Sequence, residues 1–189
     1  MRDVFESLVR AVDPWDPRET DDRADVLSWI CSSEPIFRTA KPATPPKHLV
    51  SYCVLVDTER STVLLVDHRD AQRWLPTGGH VDVDEHPADA ARRELLEELQ
   101  LEPPFHPLVG SRPLLVTVSE TGGRSTSHTD VSLWFVFSGS SDERIVPDDR
   151  EFAEVRWWPM RAVFEADGSA AFDPNLARFL AKLTALTGS

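Results

Sequence analysis

Residues 78–101 read GGHVDVDEHPADAARRELLEELQL, and this stretch decides how the rest of the chain is interpreted. Pro87 suits the first position of a helix, where a missing N–H costs nothing. From there an apolar stripe recurs at helical spacing, made of Ala88, Ala91, Leu95 and Leu99. Prolines at positions 103 and 104 stop the pattern. We therefore expect an amphipathic helix over residues 87–100 with its apolar side buried.

The opposite side of this predicted helix is acidic, because Glu94, Glu97 and Glu98 lie three and four residues apart. Like charges this close destabilise a helix by about 0.2–0.5 kcal/mol per pair. Gly78 and Gly79 precede the helix, and a glycine turn can present a backbone carbonyl at close range. Carboxylates, a carbonyl and water suit Mg²⁺ or Mn²⁺. A solvated acidic face is the alternative, and zinc is disfavoured because no His or Cys lies at zinc-ligand spacing.

The same segment resembles the Nudix box, in which Gly, Glu, Arg-Glu, an aliphatic residue, Glu-Glu, Gly and an aliphatic residue follow at fixed spacing. The chain matches this pattern with Gly79, Glu85, Arg93, Glu94, Leu95, Glu97, Glu98 and Leu101. The one departure is Gln100, where the family has a glycine that ends the helix in a left-handed turn. Glutamine there costs about 1 kcal/mol or less if the turn is kept, and the position carries no chemistry.

The resemblance covers about residues 48–187 and implies an α+β fold, a Nudix-type α/β/α sandwich around a mixed β-sheet. The β-rich runs predict strands over residues 48–57, 61–67, 108–119, 129–138 and 154–158. The first two of these strands are typical of a hairpin. A C-terminal apolar stripe predicts a helix over residues 175–186. Residues 1–46 are expected to form a helical extension that ends in a proline-rich linker, and residues 47–189 the Nudix domain.

The resemblance also implies the chemistry. A member of this family hydrolyses a diphosphate linkage in a nucleoside diphosphate joined to a group X, with Mg²⁺ or Mn²⁺ as the cofactor. The products are a nucleoside monophosphate and phosphorylated X, where the substrate is a nucleoside triphosphate, ADP-ribose or a nucleotide sugar. The family's metal ligands map to Glu94, Glu97, Glu98 and the carbonyl of Gly78. The structural positions of the box map to Gly79, Glu85 and Arg93, of which the last two pair to hold the loop against the helix.

Outside the box, the family often uses a glutamate from a later loop, and Glu151 is the candidate here. Residues 151–157 (EFAEVRW) resemble the segment before the family's last strand. We therefore expect Glu94, Glu98 and Glu151 to carry the catalysis, with one carboxylate taking the proton of the attacking water. A plain loop acid is the alternative for Glu151. The candidates for substrate binding, which would otherwise be surface or loop-end groups, are Arg69, Arg73 and His128.

Two other functions stay open at the level of the sequence. A Nudix domain can sense a nucleotide without cleaving it, but such domains usually lose box carboxylates, and all four box glutamates are present here. A phosphohydrolase of a non-nucleotide diphosphate would use the same site, but no basic cluster marks a highly phosphorylated ligand. Residues 1–45 could act as a cap, a lid or the arm of a homodimer. Specificity is expected to lie in loops 120–128 and 141–152 and in this N-terminal arm.

The net charge of −12 over 189 residues argues against binding a nucleic-acid polymer. A phosphate substrate would also be repelled, so an acidic protein that handles one points to divalent cations. No apolar run approaches the roughly 20 residues that span a bilayer, and the N-terminus lacks the apolar core of a signal peptide. Cys31 and Cys53 lie far apart. We therefore expect two buried free thiols, a cytoplasmic enzyme, a small nucleotide-type substrate and no membrane partner.

Overall fold

The computed structural model describes residues 1–32, 34–40, 44–121 and 127–188. Its helices are α1 (Arg2–Arg10), α2 (Pro17–Cys31), α3 (Pro87–Leu99), α4 (Met160–Glu165) and α5 (Leu176–Thr187). Its strands are β1 (Lys47–Asp57), β2 (Thr62–His68), β3 (Arg73–Leu75), β4 (Thr77–His80), β5 (Leu115–Thr121), β6 (His128–Ser138) and β7 (Phe152–Pro159). None of the helices in these ranges is long and apolar enough to cross a bilayer. Residues 41–43, in the middle of the predicted linker, lie outside the described residues. Residues 122–126, in the middle of the predicted loop 120–128, also lie outside them.

Strand β1 is the centre of a mixed sheet whose main strand order is β3-β2-β1-β6-β5. One edge of β1 pairs in parallel with β6 from Lys47, opposite Thr129, to Val56, opposite Ser138. The other edge is shared between two antiparallel partners: β2 pairs with the end of β1, and β4 pairs with residues 50–53. Strand β7 extends the sheet from β2. This division places β4, which carries the two glycines of the box, beside the middle of the sheet.

Side chains of the central strands alternate between two apolar cores, one on each face of the sheet. In β6, Leu133 and Phe135 belong to the core that includes α3 and the N-terminal helices, whereas Trp134 and Val136 belong to the core that includes α5. All four side chains are fully buried. Trp134 stacks on Phe179 of α5 with ring centroids 5.4 Å apart. The expected α/β/α sandwich around a mixed sheet is therefore confirmed.

The predicted strands differ from the structure in one region and miss two short elements. The hairpin of β1 and β2 is confirmed. The strand predicted over residues 108–119 is wrong in its first half, because residues 107–111 form a turn and β5 begins at Leu115. Strands β3 and β4 were not predicted, since three and four residues are too few to show an apolar alternation. Their formation depends on pairing with β2 and β1.

Both cysteines are free, but only one of them is buried. Cys53 lies in β1 and donates a hydrogen bond from Sγ to the carbonyl oxygen of Ala91 at 3.0 Å. Burial raises the pKa of this thiol, so it stays protonated. Cys31 is exposed at the end of α2. The expectation of two buried thiols is therefore wrong for Cys31, which lies where the apolar face of the helix has ended.

The N-terminal helices pack on the same core as α3. Phe5 of α1 and Trp29 of α2 meet edge to face, with ring centroids 6.1 Å apart. Both side chains belong to the core cluster that contains Leu95 of α3. Arg2 closes this unit by donating to the carbonyl oxygen of Ile30 at 2.7 Å, at the open end of α2. The division of the chain after residue 46 stays a prediction, and the first 32 residues share their apolar core with the rest.

A buried ion pair links α2 to α5. Glu19 has no solvent exposure and accepts two hydrogen bonds from Nζ of Lys182, at 2.8 and 3.0 Å. The backbone N–H groups of Trp15 and Val116 donate to the same carboxylate, at 2.6 and 3.3 Å. The Glu19 carboxylate is therefore satisfied by groups from three parts of the chain, and the ion pair anchors the N-terminal segment to the C-terminal helix.

We predict that Lys182→Met lowers the free energy of unfolding by about 3–5 kcal/mol, because it leaves the Glu19 carboxylate buried without its cation. Urea unfolding followed by circular dichroism measures the change. The matched control is Arg10→Met, which removes the exposed partner of Glu6 and should cost at most about 1 kcal/mol. Equal losses in the two variants would contradict a special role for the buried pair.

Candidate active site

The two ends of α3 are fixed by local contacts. At the start, Nδ1 of His86 accepts a hydrogen bond from the backbone N–H of Ala88 at 3.1 Å. At the end, Gln100 adopts the left-handed conformation, with φ 55° and ψ 40°, and its N–H donates to the carbonyl oxygen of Leu96 at 3.1 Å. The glutamine therefore takes the conformation that favours glycine, at a backbone cost of about 1 kcal/mol. The helix keeps its full length up to Leu99, so the departure from the box pattern leaves the acidic face intact.

Both glycines of β4 are required by close approaches. A Cβ atom on Gly79 would overlap the carboxylate of Glu94. A Cβ atom on Gly78 would overlap the carbonyl oxygen of Ser51 and lie 2.9 Å from Cα of Tyr52. The same two residues of β1 pair with Gly79 and Gly78, which fixes the position of β4. The backbone of β4 thus lies directly against the acidic face of α3, with no side chain between them.

Arg93 holds the acidic face in place. Its Nε and Nη2 atoms donate to the two carboxylate oxygens of Glu85, each at 2.9 Å, and Nη2 also donates to the carbonyl oxygen of His80 at 3.0 Å. Its Nη1 atom donates to Oε1 of Glu94 at 2.7 Å. The bonds to Glu85 raise the pKa of Arg93, whereas burial alone would lower it. Arg93 therefore joins the loop before α3, strand β4 and one of the acidic side chains.

Glu98 is a buried carboxyl group in an acidic environment. Its exposure is 8%, and its Oε2 atom has no hydrogen-bond partner in the part of the chain that the structure describes. Burial, with the nearby charges of Glu94 and Glu151, raises the pKa of Glu98 to about 9, against a hydrogen bond from the backbone of Gly78. Burial also raises the pKa of Glu94, although Arg93 opposes it. A buried oxygen without a donor, beside two other carboxyl groups, needs either a proton or a cation.

The loop before β7 brings Glu151 to the same place. The backbone N–H of Asp148 donates to the carbonyl oxygen of Glu98 at 2.8 Å, in the last turn of α3, where carbonyls lack a partner within the helix. The N–H of Arg69 donates to the carbonyl oxygen of Glu151 at 3.0 Å. Between these anchors, the carboxyl group of Glu151 lies near enough to that of Glu98 to raise its pKa. The structure therefore brings Glu94, Glu98 and Glu151 together, although the third lies far from the others in sequence.

These three glutamates line a polar cleft of about 460 Å³. The backbone of Gly78 and Gly79 forms part of the same wall. Four arginines also line the cleft: Arg38, Arg69, Arg93 and Arg150. Cationic groups and carboxylates thus face one space, an arrangement that suits an anionic ligand accompanied by a metal cation.

Three of the residues predicted to bind metal or substrate do not line this cleft among the described residues. Glu97 exposes 59% of its side chain to solvent on the acidic face of α3. Arg73 lies on β3, and its charge opposes the rise that burial causes in the pKa of Asp173. His128 begins β6, and its Nε2 atom lies 3.3 Å from Oδ1 of Asp130. The roles expected for Glu97, Arg73 and His128 stay predictions.

Arg38 lines the cleft although it belongs to the segment predicted as an extension. A hydrogen bond from the backbone N–H of Leu49 to the carbonyl oxygen of Ile36, at 2.9 Å, holds this segment against the start of β1. Burial lowers the pKa of the Arg38 guanidinium, against the charges of Asp130 and Glu94. No motif or spacing marks Arg38 in the sequence. Sequence reasoning missed further lining residues for the same reason, namely His68, Asp70, His80, Asp82 and Arg150.

The chain matches a known family over most of its length. Residues 46–183 match the family model described as the NUDIX domain. Among solved structures, a hydrolase of the NUDIX family from Clostridium perfringens is 22% identical, with 74% of this chain and 97% of that chain covered and a TM-score of 0.53. None of the curated protein sequences compared with the chain matches it.

Two further solved structures share the fold. The NUDIX domain of Shewanella oneidensis NrtR, complexed with ADP ribose, is 19% identical, with 72% of this chain and 86% of that chain covered and a TM-score of 0.56. An Ap4A hydrolase of C. elegans is 15% identical, with 74% and 97% covered and a TM-score of 0.53. At these identities the likeness shows the fold.

The burial of Glu98 predicts how metal-free protein responds to pH. The pKa of this carboxyl group is about 9 in the folded chain, above its ordinary value of 4.5. The buried carboxyl group is stable in its protonated form, so its contribution to the free energy of unfolding is full below about pH 4.5. This contribution is lost as the pH rises through about 9. Glu98→Gln removes this loss and should raise the free energy of unfolding in EDTA at pH 8 by more than about 1 kcal/mol.

Urea unfolding of both proteins in EDTA, at pH 5 and at pH 8, measures this effect. The control is Glu97→Gln, on the same helix face but exposed, which should change the free energy of unfolding by less than about 0.5 kcal/mol. A Glu98→Gln protein no more stable than the parent at pH 8 would show that ionisation of Glu98 does not destabilise the fold as predicted.

Proposed function

The chain belongs to the NUDIX family, and on this premise we propose that it is a divalent-metal-dependent hydrolase of a diphosphate linkage. Its substrate is a nucleoside diphosphate joined to a group X, and the products are a nucleoside monophosphate and phosphorylated X. The observation that carries the proposal is the convergence of Glu94, Glu98 and Glu151 on one cleft. Burial, together with the charges of Glu94 and Glu151, raises the pKa of Glu98, and a bound cation would offset both effects.

The donor set of the cleft fits a cation that prefers hard oxygen ligands. Oε2 of Glu98 is buried without a hydrogen-bond donor in the described ranges, so it is available to a metal ion. Glu94, Glu98 and the carbonyl of Gly78 would hold the ion, with Glu97 reaching it from the exposed side of the same helix face. Such ligands suit Mg²⁺, with Mn²⁺ as the alternative. When bound, the ion supplies charge neutralisation at the phosphate oxygens and an acidified water.

The side chains of the chain carry the other parts of the reaction. Arg93 fixes the orientation of the Glu94 carboxylate through its bond to Oε1. Arg38 and Arg69 bind phosphate oxygens and counter the overall negative charge of the protein. The oxygen of water bonds to one phosphorus, the bond from that phosphorus to the bridging oxygen breaks, and the bridging oxygen leaves with the other phosphate. Glu151 takes the proton that the water loses.

The substrate class follows from the size and charge of the cleft. A space of about 460 Å³ is of the size that holds one small molecule. Its lining is polar and includes four arginines, which suits a diphosphate better than an apolar ligand. Of the structures with this fold, one holds ADP ribose and another is an Ap4A hydrolase. Both support a nucleotide-type substrate for this chain.

The compartment belongs to the same proposal. Cys31 and Cys53 are both free thiols, and one of them is exposed. Exposed free thiols suit a reducing compartment, so we propose that the protein works in the cytoplasm on a soluble nucleotide.

Turnover of a substrate panel tests the function. Nucleoside triphosphates, ADP-ribose, a nucleotide sugar and a dinucleoside polyphosphate are each incubated with the protein and Mg²⁺, and the products are separated by anion-exchange chromatography. We expect one class to yield a nucleoside monophosphate, and EDTA to stop the reaction. Glu98→Gln should remove activity, while Glu151→Gln should lower kcat by about 10²–10⁴-fold with little effect on the Mg²⁺ requirement.

Two results would overturn this proposal. The first is near-normal turnover by the Glu98→Gln protein. The second is tight nucleotide binding by the parent protein without cleavage of any member of the panel, which would favour a nucleotide-sensing domain. Cleavage of non-nucleotide diphosphates alone would leave the chemistry but replace the substrate class.

Arg38 provides a separate prediction within the same cleft. Arg38→Gln should lower kcat/KM by about 10–100-fold, mostly through KM, because a charged hydrogen bond to phosphate contributes about 1.5–3 kcal/mol. The control is Arg161→Gln, which removes the same charge from an exposed position on α4. Equal effects in the two variants would show that only the net charge matters.

A further inference from the structure

A second polar cluster lies where three strands meet, beside the cleft. Its members are His48 at the start of β1, Asp130 and His128 at the start of β6, and His80 at the end of β4. The parallel register of β1 and β6 sets His48 opposite Asp130. His80 belongs to the cleft wall, and its Nε2 atom lies 3.0 Å from Nε2 of His48. The cluster therefore borders the cleft.

One ring nitrogen of His48 is held by the backbone, and the other faces the cluster, where it shares a hydrogen bond with Nε2 of His80. The side chain is fully buried, and its Nδ1 atom lies 2.8 Å from the carbonyl oxygen of Pro45. A carbonyl oxygen only accepts, so Nδ1 carries a hydrogen and donates it. In the neutral ring, Nε2 then has the lone pair and faces Asp130 and His80. A backbone carbonyl that accepts from the other ring nitrogen is the usual support of a metal-binding histidine.

The carboxylate of Asp130 is shared by two histidines. Its Oδ1 atom lies 3.3 Å from Nε2 of His48 and 3.3 Å from Nε2 of His128. This oxygen is buried and has no hydrogen-bond partner within the described ranges, whereas Oδ2 accepts a hydrogen bond from Thr121 at 2.8 Å. The two imidazole rings lie nearly parallel, with centroids 5.1 Å apart and an angle of 18° between their planes. Oδ1 of Asp130 therefore lies between two ring nitrogens, and neither nitrogen is aligned to donate a hydrogen bond to it.

We propose that His48, His128 and Asp130 bind a transition-metal ion of the zinc class, at a site separate from the carboxylates of α3. Their ligand atoms all lie within 4.8 Å of one another. Zinc bonds of about 2.0–2.1 Å to nitrogen and oxygen require ligand atoms roughly 3.3 Å apart in a tetrahedral site. Two of the three distances already have this value. An ion at the centre joins Oδ1 of Asp130 to both nitrogens.

The two sites differ in the metal that they select. The carboxylates of α3 offer oxygen ligands, which suit Mg²⁺ or Mn²⁺, whereas two imidazoles and one carboxylate suit zinc or a neighbouring transition metal. Three protein ligands leave one position for water or another group, as in zinc sites that exchange ligands. His80 lies next to His48 on the side of the cleft. The histidine cluster would bind zinc whether or not the carboxylate site is hydrolytic.

Zinc content of the purified full-length chain tests this proposal. The protein is stripped with a chelator, given one equivalent of Zn²⁺ together with excess Mg²⁺, desalted and analysed for metal by mass spectrometry. We expect one zinc per chain in the parent protein. His48→Gln and Asp130→Asn should each lose zinc affinity by at least about tenfold.

Two control variants separate this site from other zinc binding. Glu98→Gln alters the carboxylate site and should keep the zinc. His106→Asn removes a buried histidine outside the cluster and should also keep it. Loss of zinc in Glu98→Gln, equal zinc in the parent and in Asp130→Asn, or no zinc in the parent would each overturn the proposal. The last result would indicate a hydrogen-bonded cluster in which a proton takes the place of the ion.

A second measurement decides the matter if the cluster variants do not fold. Co²⁺ replaces zinc in the parent protein, and a tetrahedral site gives strong visible absorption bands that an octahedral oxygen site does not give. We expect these bands in the parent and in Glu98→Gln, and their loss when one equivalent of Zn²⁺ is added. A spectrum with only weak octahedral bands would contradict the site.

Discussion

The carboxylate of Glu94 lies against the bare backbone of Gly79, and the rest of the site depends on this contact. The approach is possible because Gly79 has no side chain and because β4 is held by its pairing with β1. Once β4 is fixed, the carbonyl of His80 can accept from Arg93, and Arg93 can orient Glu94. The two glycines therefore set the distance between β4 and α3. The glutamates of the box can face the backbone of β4 only at that distance.

This arrangement places a carboxyl group where the protein alone cannot stabilise its charge. Glu98 is buried beside Glu94 and Glu151, and its pKa of about 9 expresses the cost. The opposite side of α3 offsets that cost through apolar side chains that are fully buried, Ala90, Ala91, Leu95 and Leu99. Helix packing thus supports an acidic face that would not form a stable surface by itself. Such local conflict is expected at a functional site.

The features that could be predicted from the sequence are those that depend on residues close together in the chain. The position of α3 and the common face of its glutamates are local, because they follow from helical spacing. Strands β1, β2 and β6 carry long apolar runs and were also predictable. Arg38 was not, because its place in the cleft depends on a hydrogen bond between Ile36 and Leu49. The absence of zinc-ligand spacing gave no hint of the histidine cluster, since the parallel pairing of β1 with β6 brings His48 to Asp130.

Arg38 connects the two polar centres of the molecule. Its guanidinium is partly buried and lies within the electrostatic reach of Asp130 in the histidine cluster and of Glu94 in the cleft. The segment that carries it is anchored on both sides, by the helix pair that shares the core with α3 and by the start of β1. Since Lys182 holds α2 through Glu19, the C-terminal helix also contributes to this placement. The guanidinium of Arg38 therefore stays in the cleft only while the N-terminal helices, strand β1 and the C-terminal helix are all folded together. The N-terminal segment is for this reason part of the site.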